Sequence, residues 1–213
     1  MIDLHTHSLL SDGELLPEEL ARRAETAGYR ILVIADHVGF SNVEQVVSAL
    51  VRAAEKMSAG IRVVAGVEPT HCPPEQFSEL VERARALGAQ FVVGHGETPV
   101  EPVAPGTNRA AIEAGVDVLA HPGLISEEDA RLAAQRGVAL ELTARRGHCL
   151  ANGHVAQVAR RAGAALVFGS DAHAPADLCS REFADRVLLG AGLTAEEVVA
   201  VWERMETLVE GRG

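Results

Sequence analysis

The stretch Gly28-Tyr29-Arg30-Ile31-Leu32-Val33-Ile34-Ala35-Asp36-His37 carries the plan of the fold. Ala27-Gly28 is a small-residue stop of the kind that ends helices, and residues 31–35 are an apolar, β-branched run of strand length. Asp36-His37 then puts polar chemistry where the run ends. Outward from this stretch the same unit recurs. Apolar runs predict strands at residues 2–4, 31–35, 62–67, 91–94, 116–119, 139–142 and 165–169. Helical stretches are predicted between and after them at 17–27, 43–57, 74–87, 108–114, 127–136, 153–162 and 175–189. Further stops stand at Ala59-Gly60, Leu87-Gly88, Ala114-Gly115, Arg136-Gly137 and Ala162-Gly163, each just before the next strand.

Regular alternation of strand and helix implies an α/β fold with a parallel sheet covered by helices. Right-handed crossovers leave an open doubly wound sheet or a closed barrel, and periodicity does not choose between them. The chain has 213 residues, 47% hydrophobic and 23% charged, which suits one domain spanning 1–213. A last segment near 194–209 opens with Thr194-Ala195-Glu196-Glu197, a Thr cap followed by acids, and reads as a terminal packing helix.

No apolar run approaches the roughly 20 residues that a membrane helix requires, so no membrane partner is expected. Cys72, Cys149 and Cys179 are odd in number and scattered, which argues against a disulfide framework and for a reducing, cytoplasmic setting. A net charge of −11 weighs against the broad cationic surface that binds extended nucleic acid and leaves room for a local basic pocket. Because Lys56 is the sole lysine, a cationic substrate contact is expected to be an arginine.

Sites of parallel α/β folds lie at the carboxyl ends of strands, and here those ends are rich in imidazole and carboxylate. His5, Thr6, His7 and then Asp12 follow the first strand, Asp36 and His37 the second, Glu68 the third and His95 the fourth. His121 follows the fifth, Glu141 sits at the sixth, and Asp171 and His173 follow the seventh. Any one of these could be a cap or turn residue, but together they ask for cations, since side-by-side carboxylates stay ionised only beside positive charge. Imidazole and carboxylate donors suit zinc, manganese or iron.

The motifs His5-Thr6-His7, Ser11-Asp12-Gly13, Ala35-Asp36-His37, Gly66-Val67-Glu68, Ala120-His121-Pro122-Gly123 and Ser170-Asp171-Ala172-His173 resemble, in order, those of the PHP (polymerase and histidinol phosphatase) superfamily. The resemblance spans positions 3 to 173 and is greatest to compact, stand-alone proteins similar to histidinol-phosphate phosphatases. It implies a distorted seven-stranded (β/α)7, TIM-like barrel with two or three divalent metal ions (Zn, Mn or Fe). It also implies one ion on His5, His7, Glu68 and Asp171, with Glu68 bridging to a second on His95 and His121, and a third on Asp12, His37 and His173. His71, close behind Glu68, departs from the simplest family pattern and is read as a loop residue.

The expected activity is hydrolysis of a small phosphomonoester by metal-activated water, with Glu68 as bridge and Asp12 or His173 as candidate proton donors to the leaving group. Arg145 and Arg146 are the expected phosphate clamp, with Arg109, His148, Asn152 and His154 as further substrate contacts. Glu141 either orients a ligand or an arginine, or is an edge carboxylate. Two rival activities share the ligand types. A nuclease or nucleotide phosphodiesterase of the same superfamily would use the same chemistry on a nucleotide, and an amidohydrolase also begins with His-x-His after its first strand. The carboxylated-lysine form of the latter is excluded, because Lys56 lies in a predicted helix. A non-catalytic relic is disfavoured because every expected ligand position carries His, Asp or Glu.

Overall fold

The computed structural model describes residues 1–57 and 60–211. Ala59, in one of the expected helix stops, lies outside the described residues. The elements run β1 (Ile2–Thr6), α1 (Pro17–Thr26), β2 (Ile31–Ile34), β3 (His37–Val38), α2 (Val43–Lys56), β4 (Arg62–Pro69), α3 (Phe77–Ala86) and β5 (Phe91–His95). They continue with α4 (Thr107–Glu113), β6 (Val118–Ala120), α5 (Glu127–Arg136), β7 (Ala139–Thr143), α6 (Asn152–Ala162), β8 (Leu166–Gly169), α7 (Arg181–Gly190) and α8 (Ala195–Glu210).

Seven parallel strands follow one another in the order β1-β2-β4-β5-β6-β7-β8, while the two-residue β3 pairs with the end of β4. The first and last strands meet at their carboxyl ends through a parallel bridge from Thr6 to Ala172. There the His7 N–H donates to Ala172 O at 2.8 Å and the Asp171 N–H to His5 O at 2.9 Å. The sheet is therefore a nearly closed TIM-like barrel. Periodicity left an open sheet or a barrel as alternatives, and this seam selects the barrel. No helix among the described residues is long and apolar enough to cross a membrane.

Residues of β2 and β5 are buried throughout, as expected of strands enclosed on both faces. Helices present apolar stripes to the barrel, such as Val43, Val46, Val47 and Leu50 on α2. The terminal helix α8 packs over β8, where Trp202 lies 5.8 Å from Phe168 and donates its indole N–H to Asp185. Its start is a capping box: Thr194 Oγ1 accepts from Glu197 N and Glu197 Oε2 from Thr194 N.

The helix expected over 175–189 is broken. Asp177 Oδ2 accepts from the N–H groups of His173 and Ala174 and so caps the start of a short 3-10 turn at Pro175–Asp177, which ends where Leu178 turns to extended backbone. Ser180 then caps a separate start, accepting from Phe183 N. Between them Cys179 O accepts the Tyr29 hydroxyl at 2.8 Å.

Gly66 on β4 shows how tightly the barrel is drawn. A Cβ there would meet Val33 Cγ1 at 2.8 Å and backbone oxygens of Ile34 and Phe91 at 3.1 and 3.2 Å. Gly66→Ala should destabilise the fold by about 1–3 kcal/mol through overpacking. Chemical denaturation checks this, and an unchanged midpoint would show that β4 has slack.

Candidate metal centre

The carboxyl rim of the barrel gathers nine side chains into four overlapping groups, each with its donor atoms within 4.8 Å of one another. These are His7, Asp12, His37 and His173; His5, His121 and Asp171; His5, His7 and Glu68; and Glu68, His95 and His121. Glu68 and Asp171 stand at the centre. His5 Nε2 and His121 Nε2 each lie 3.5 Å from Glu68 Oε1, and His7 Nε2 lies 3.6 Å from Glu68 Oε2 and 3.3 Å from Asp171 Oδ1. Towards the mouth, Asp12 Oδ1 is 3.3 Å from His173 Nε2 and 3.6 Å from His37 Nε2.

Local structure aims these groups. The alternation of β1 sends His5 and His7 to the same side, and their Nε2 atoms meet at 3.0 Å. Glu141 on β7 faces His5 Nδ1 at 2.8 Å and accepts the His121 N–H at 3.0 Å, so it is an orienting carboxylate rather than an edge group. Gly169 leaves room for it, since a Cβ there would collide with the Glu141 carboxylate. Asp36 accepts from Ser8 N, Ser8 Oγ and Ser11 Oγ, which folds the loop that presents Asp12. His121 and Asp171 hold left-handed backbone at φ 28° and 53°, a costly conformation for side-chain-bearing residues and one that concentrates at functional sites.

Charges in the cluster are strongly coupled. Burial disfavours the charged form of His5, but Glu141, Glu68 and Asp171 overcome it and raise its pKa well above the usual imidazole range. Burial likewise opposes charge on His37, yet Glu68 and Asp12 lift it to about 9. His7 goes the other way, to about 3, through burial and the neighbouring His37 and His5, which outweigh Asp171. Glu68 and Asp171 are buried, which would raise them, but the surrounding imidazoles hold both far below the carboxylate range.

The donor set fits metal ions on an independent ground. Both Glu68 oxygens and the Nδ1 atoms of His7, His95 and His121 are buried without a well-directed hydrogen-bond partner. Buried polar atoms are rarely left so unless something else satisfies them.

Of the expected substrate contacts, Arg145 and Arg146 line a cavity of about 330 Å³ on the same rim, with Ser170, Asp177, Ser180 and Phe183. Arg145 lies 3.3 Å from Asp177, and His148 stacks edge-on to His121 with ring centres 4.3 Å apart. The others have different partners. Arg109 pairs with Glu128 and Asp129 of α5, Asn152 binds the backbone of Thr143 at both ends of its amide, and His154 faces Ile125 O. None of the three belongs to the four donor groups of the rim.

Glu101 was not anticipated. From the loop after β5 it faces His95 Nε2 at 3.1 Å, His148 Nε2 at 3.2 Å and His71 Nε2 at 3.5 Å. The contact with His95 lowers its pKa to about 2 despite partial burial. A lone Glu six residues past a strand, among prolines, carries no signal of this role.

Loading should be proton-linked. The folded pKa of His37 lies above its ordinary value of 6.5, so its charge stabilises the cation-free fold fully below pH 6.5 and that contribution is lost as pH rises through about 9. Metals need the neutral imidazole, so zinc affinity should rise from about pH 6 to about pH 9 with protons released. Calorimetry in buffers of different ionisation heat measures this, and an affinity flat across that range would contradict it. Glu141→Gln should weaken zinc binding by about 10–100-fold by loosening His5, as read by chelator competition.

Residues 3–136 match the PHP domain family. An uncharacterized protein of Methanocaldococcus jannaschii is 46% identical over 200 residues, 92% of this chain and 92% of that protein. A 5'-3' exoribonuclease of Haemophilus influenzae is 39% identical over 66 residues, 31% of this chain and 22% of that protein. Among solved structures, a histidinol phosphate phosphatase from Lactococcus lactis, in complex with zinc, L-histidinol and phosphate, has the same fold. The TM-score is 0.62 at 17% identity, covering 91% of this chain and 94% of the other. With most of its barrel matched in sequence, and its rim carrying the motifs in order, the chain belongs to the PHP domain family.

Proposed function

We propose that this protein is a metal-dependent phosphoester hydrolase that releases phosphate from a small phosphomonoester. The observation that carries the reading is the set of nine imidazole and carboxylate side chains on one rim, with buried donors that lack hydrogen-bond partners. In this reading His5, His7, Glu68 and Asp171 hold one ion, Glu68, His95 and His121 a second, and Asp12, His37 and His173 a third. Zinc, manganese or iron fits the donors. When bound, such ions supply Lewis-acid activation of water and of the phosphoryl oxygens.

The chain's own residues supply the rest. Glu141 fixes the His5 ring with Nδ1 turned away from the cluster and Nε2 towards it. Arg145 and Arg146, which line the cavity with Ser170 and Asp177, give planar guanidinium donors to phosphoryl oxygens. Asp12 and His173 face one another at the open edge, where, deprotonated as ligands, they would orient a water that passes a proton to the departing alkoxide. The net charge of −11 favours a small substrate over a polynucleotide. A nucleotide is a second reading, favoured by the 39% identity to the Haemophilus influenzae exoribonuclease over 66 residues.

Elemental analysis of purified protein, with phosphate release from a panel of phosphomonoesters, nucleotides and short oligonucleotides, tests the proposal. Two or three ions per chain and metal-dependent release, abolished in His7→Ala and His121→Ala, are expected. A protein that takes up no zinc, manganese or iron and releases no phosphate after reconstitution would sink it. Arg145→Ala should raise KM about tenfold with a smaller effect on kcat, in line with loss of one charge-assisted contact worth ~1.5 kcal/mol; unchanged KM would remove Arg145 from the phosphate site.

A further inference from the structure

The two ring nitrogens of His95 stand in unlike surroundings. Nε2 lies 3.1 Å from Glu101 Oε2, whereas Nδ1 is buried without a hydrogen-bond partner. The donor that His95 offers an ion stands within 4.8 Å of donors on Glu68 and His121. In a neutral imidazole one nitrogen carries the proton and the other the lone pair, and only the lone pair can ligate. A carboxylate accepts a hydrogen bond, and so selects the nitrogen that carries the proton. Glu101 therefore leaves Nδ1 as the free donor, and Nδ1 is the nitrogen that the fold buries with nothing to satisfy it.

His5 shows the same device with the ring reversed. Its Nδ1 faces Glu141 Oε1 at 2.8 Å, and its Nε2 lies 3.5 Å from Glu68 Oε1. Glu141 is carried by β7 itself, while Glu101 reaches His95 from the loop after β5. That loop is pinned at its base, where Glu97 Oε1 accepts from Gly106 N and Asn108 N and the Asn108 amide bridges Glu97 N and Pro122 O. Pro99, Pro102 and Pro105 restrict its backbone, and Val100 lies against Gly147 of the β7 loop. Two further imidazoles steady the carboxylate, with Glu101 Oε1 3.2 Å from His148 Nε2 and Oε2 3.5 Å from His71 Nε2. The loop is thus a stiff strap that holds a carboxylate, one third exposed, against a buried ring.

We propose that Glu101 is a positioning residue of the metal centre: it holds the Nε2 proton of His95 and so makes Nδ1 the nitrogen that ligates the ion shared with Glu68 and His121. The proposal rests on the metal-centre reading above and adds no ligand to it. Two rings of the centre then bind through opposite nitrogens, His5 through Nε2 and His95 through Nδ1, each backed by its own glutamate. Loss of Glu101 frees the His95 ring to turn or to change tautomer, which lowers the affinity of that ion and leaves the barrel intact.

The test reads the ring itself. Protein with nitrogen-labelled histidine is loaded with zinc, and long-range proton–nitrogen correlations locate the proton and the metal on each ring, the His95 signals being assigned by through-bond connection to its backbone. A proton on Nε2 and zinc on Nδ1 are expected for His95, and the reverse for His5. Zinc retention against a graded chelator series is then compared in wild type, Glu101→Ala and Glu101→Gln, with thermal unfolding as the control for folding. Glu101→Ala should lose one equivalent of zinc at a chelator concentration about 10–100-fold lower than wild type does. Glu101→Gln, whose amide oxygen still accepts a hydrogen bond, should lose it less readily than Glu101→Ala. Zinc on His95 Nε2 overturns the proposal, and so does equal zinc retention in Glu101→Ala and wild type. A wild type that takes up no zinc defeats the metal-centre reading and this one with it, whereas a loaded wild type with His95 in the other tautomer defeats this one alone.

Discussion

The backbone seam between β1 and the segment after β8 governs everything at the rim. Two hydrogen bonds, from His7 N to Ala172 O and from Asp171 N to His5 O, join residues more than 160 positions apart. They do so at the carboxyl end of the barrel, where the clustered imidazoles and carboxylates sit. Without them the sheet would be an open array, with His5 and His7 on one edge and Asp171 and His173 on the other. The closure that completes the fold is thus the same contact that assembles the site. It explains why the last helix, α8, is placed over β8 with Trp202 against Phe168: it backs the strand whose far end must reach β1.

Bringing those ends together concentrates charge in a place that water barely reaches. His5, His7, Glu68, His95, His121 and Asp171 are all buried. The cluster meets part of this cost internally, by pushing proton affinities apart: His5 and His37 upward, His7 downward, the two central carboxylates far down. Such splitting is what coupled sites do when they cannot all be charged at once. It leaves the two Glu68 oxygens and several Nδ1 atoms with nothing properly directed at them, and divalent cations relieve both problems together.

Much of this was legible along the chain because a parallel barrel converts strand ends into neighbours. His5, His37, Glu68, His95, His121 and Asp171 each sit at or just beyond an apolar run, so locating the runs located the rim. The choice of barrel over open sheet was legible through the ordered motifs and their family resemblance but not through periodicity, because it depends on the seam, and a bridge at Thr6 to Ala172 leaves no trace there. Nor was the break at 178–180, where Asp177 and Ser180 each act as caps within what reads as one helical stretch. Loop residues were the least readable. Arg109, Asn152 and His154 lie in plausible sequence positions but are claimed by other partners, while Glu101 reaches the cluster from a strap whose path only tertiary packing determines.

The left-handed backbone at His121 and Asp171 has a consequence for how this sequence can drift or be engineered. Each residue stores conformational strain that a glycine would release, and each brings a buried polar group that an apolar neighbour would welcome less. Selection for heat resistance alone, applied to protein kept free of metals, would therefore erode these two positions first and favour a sturdier barrel that had forgotten its chemistry. Their presence together on the rim is a record of selection for something other than folding.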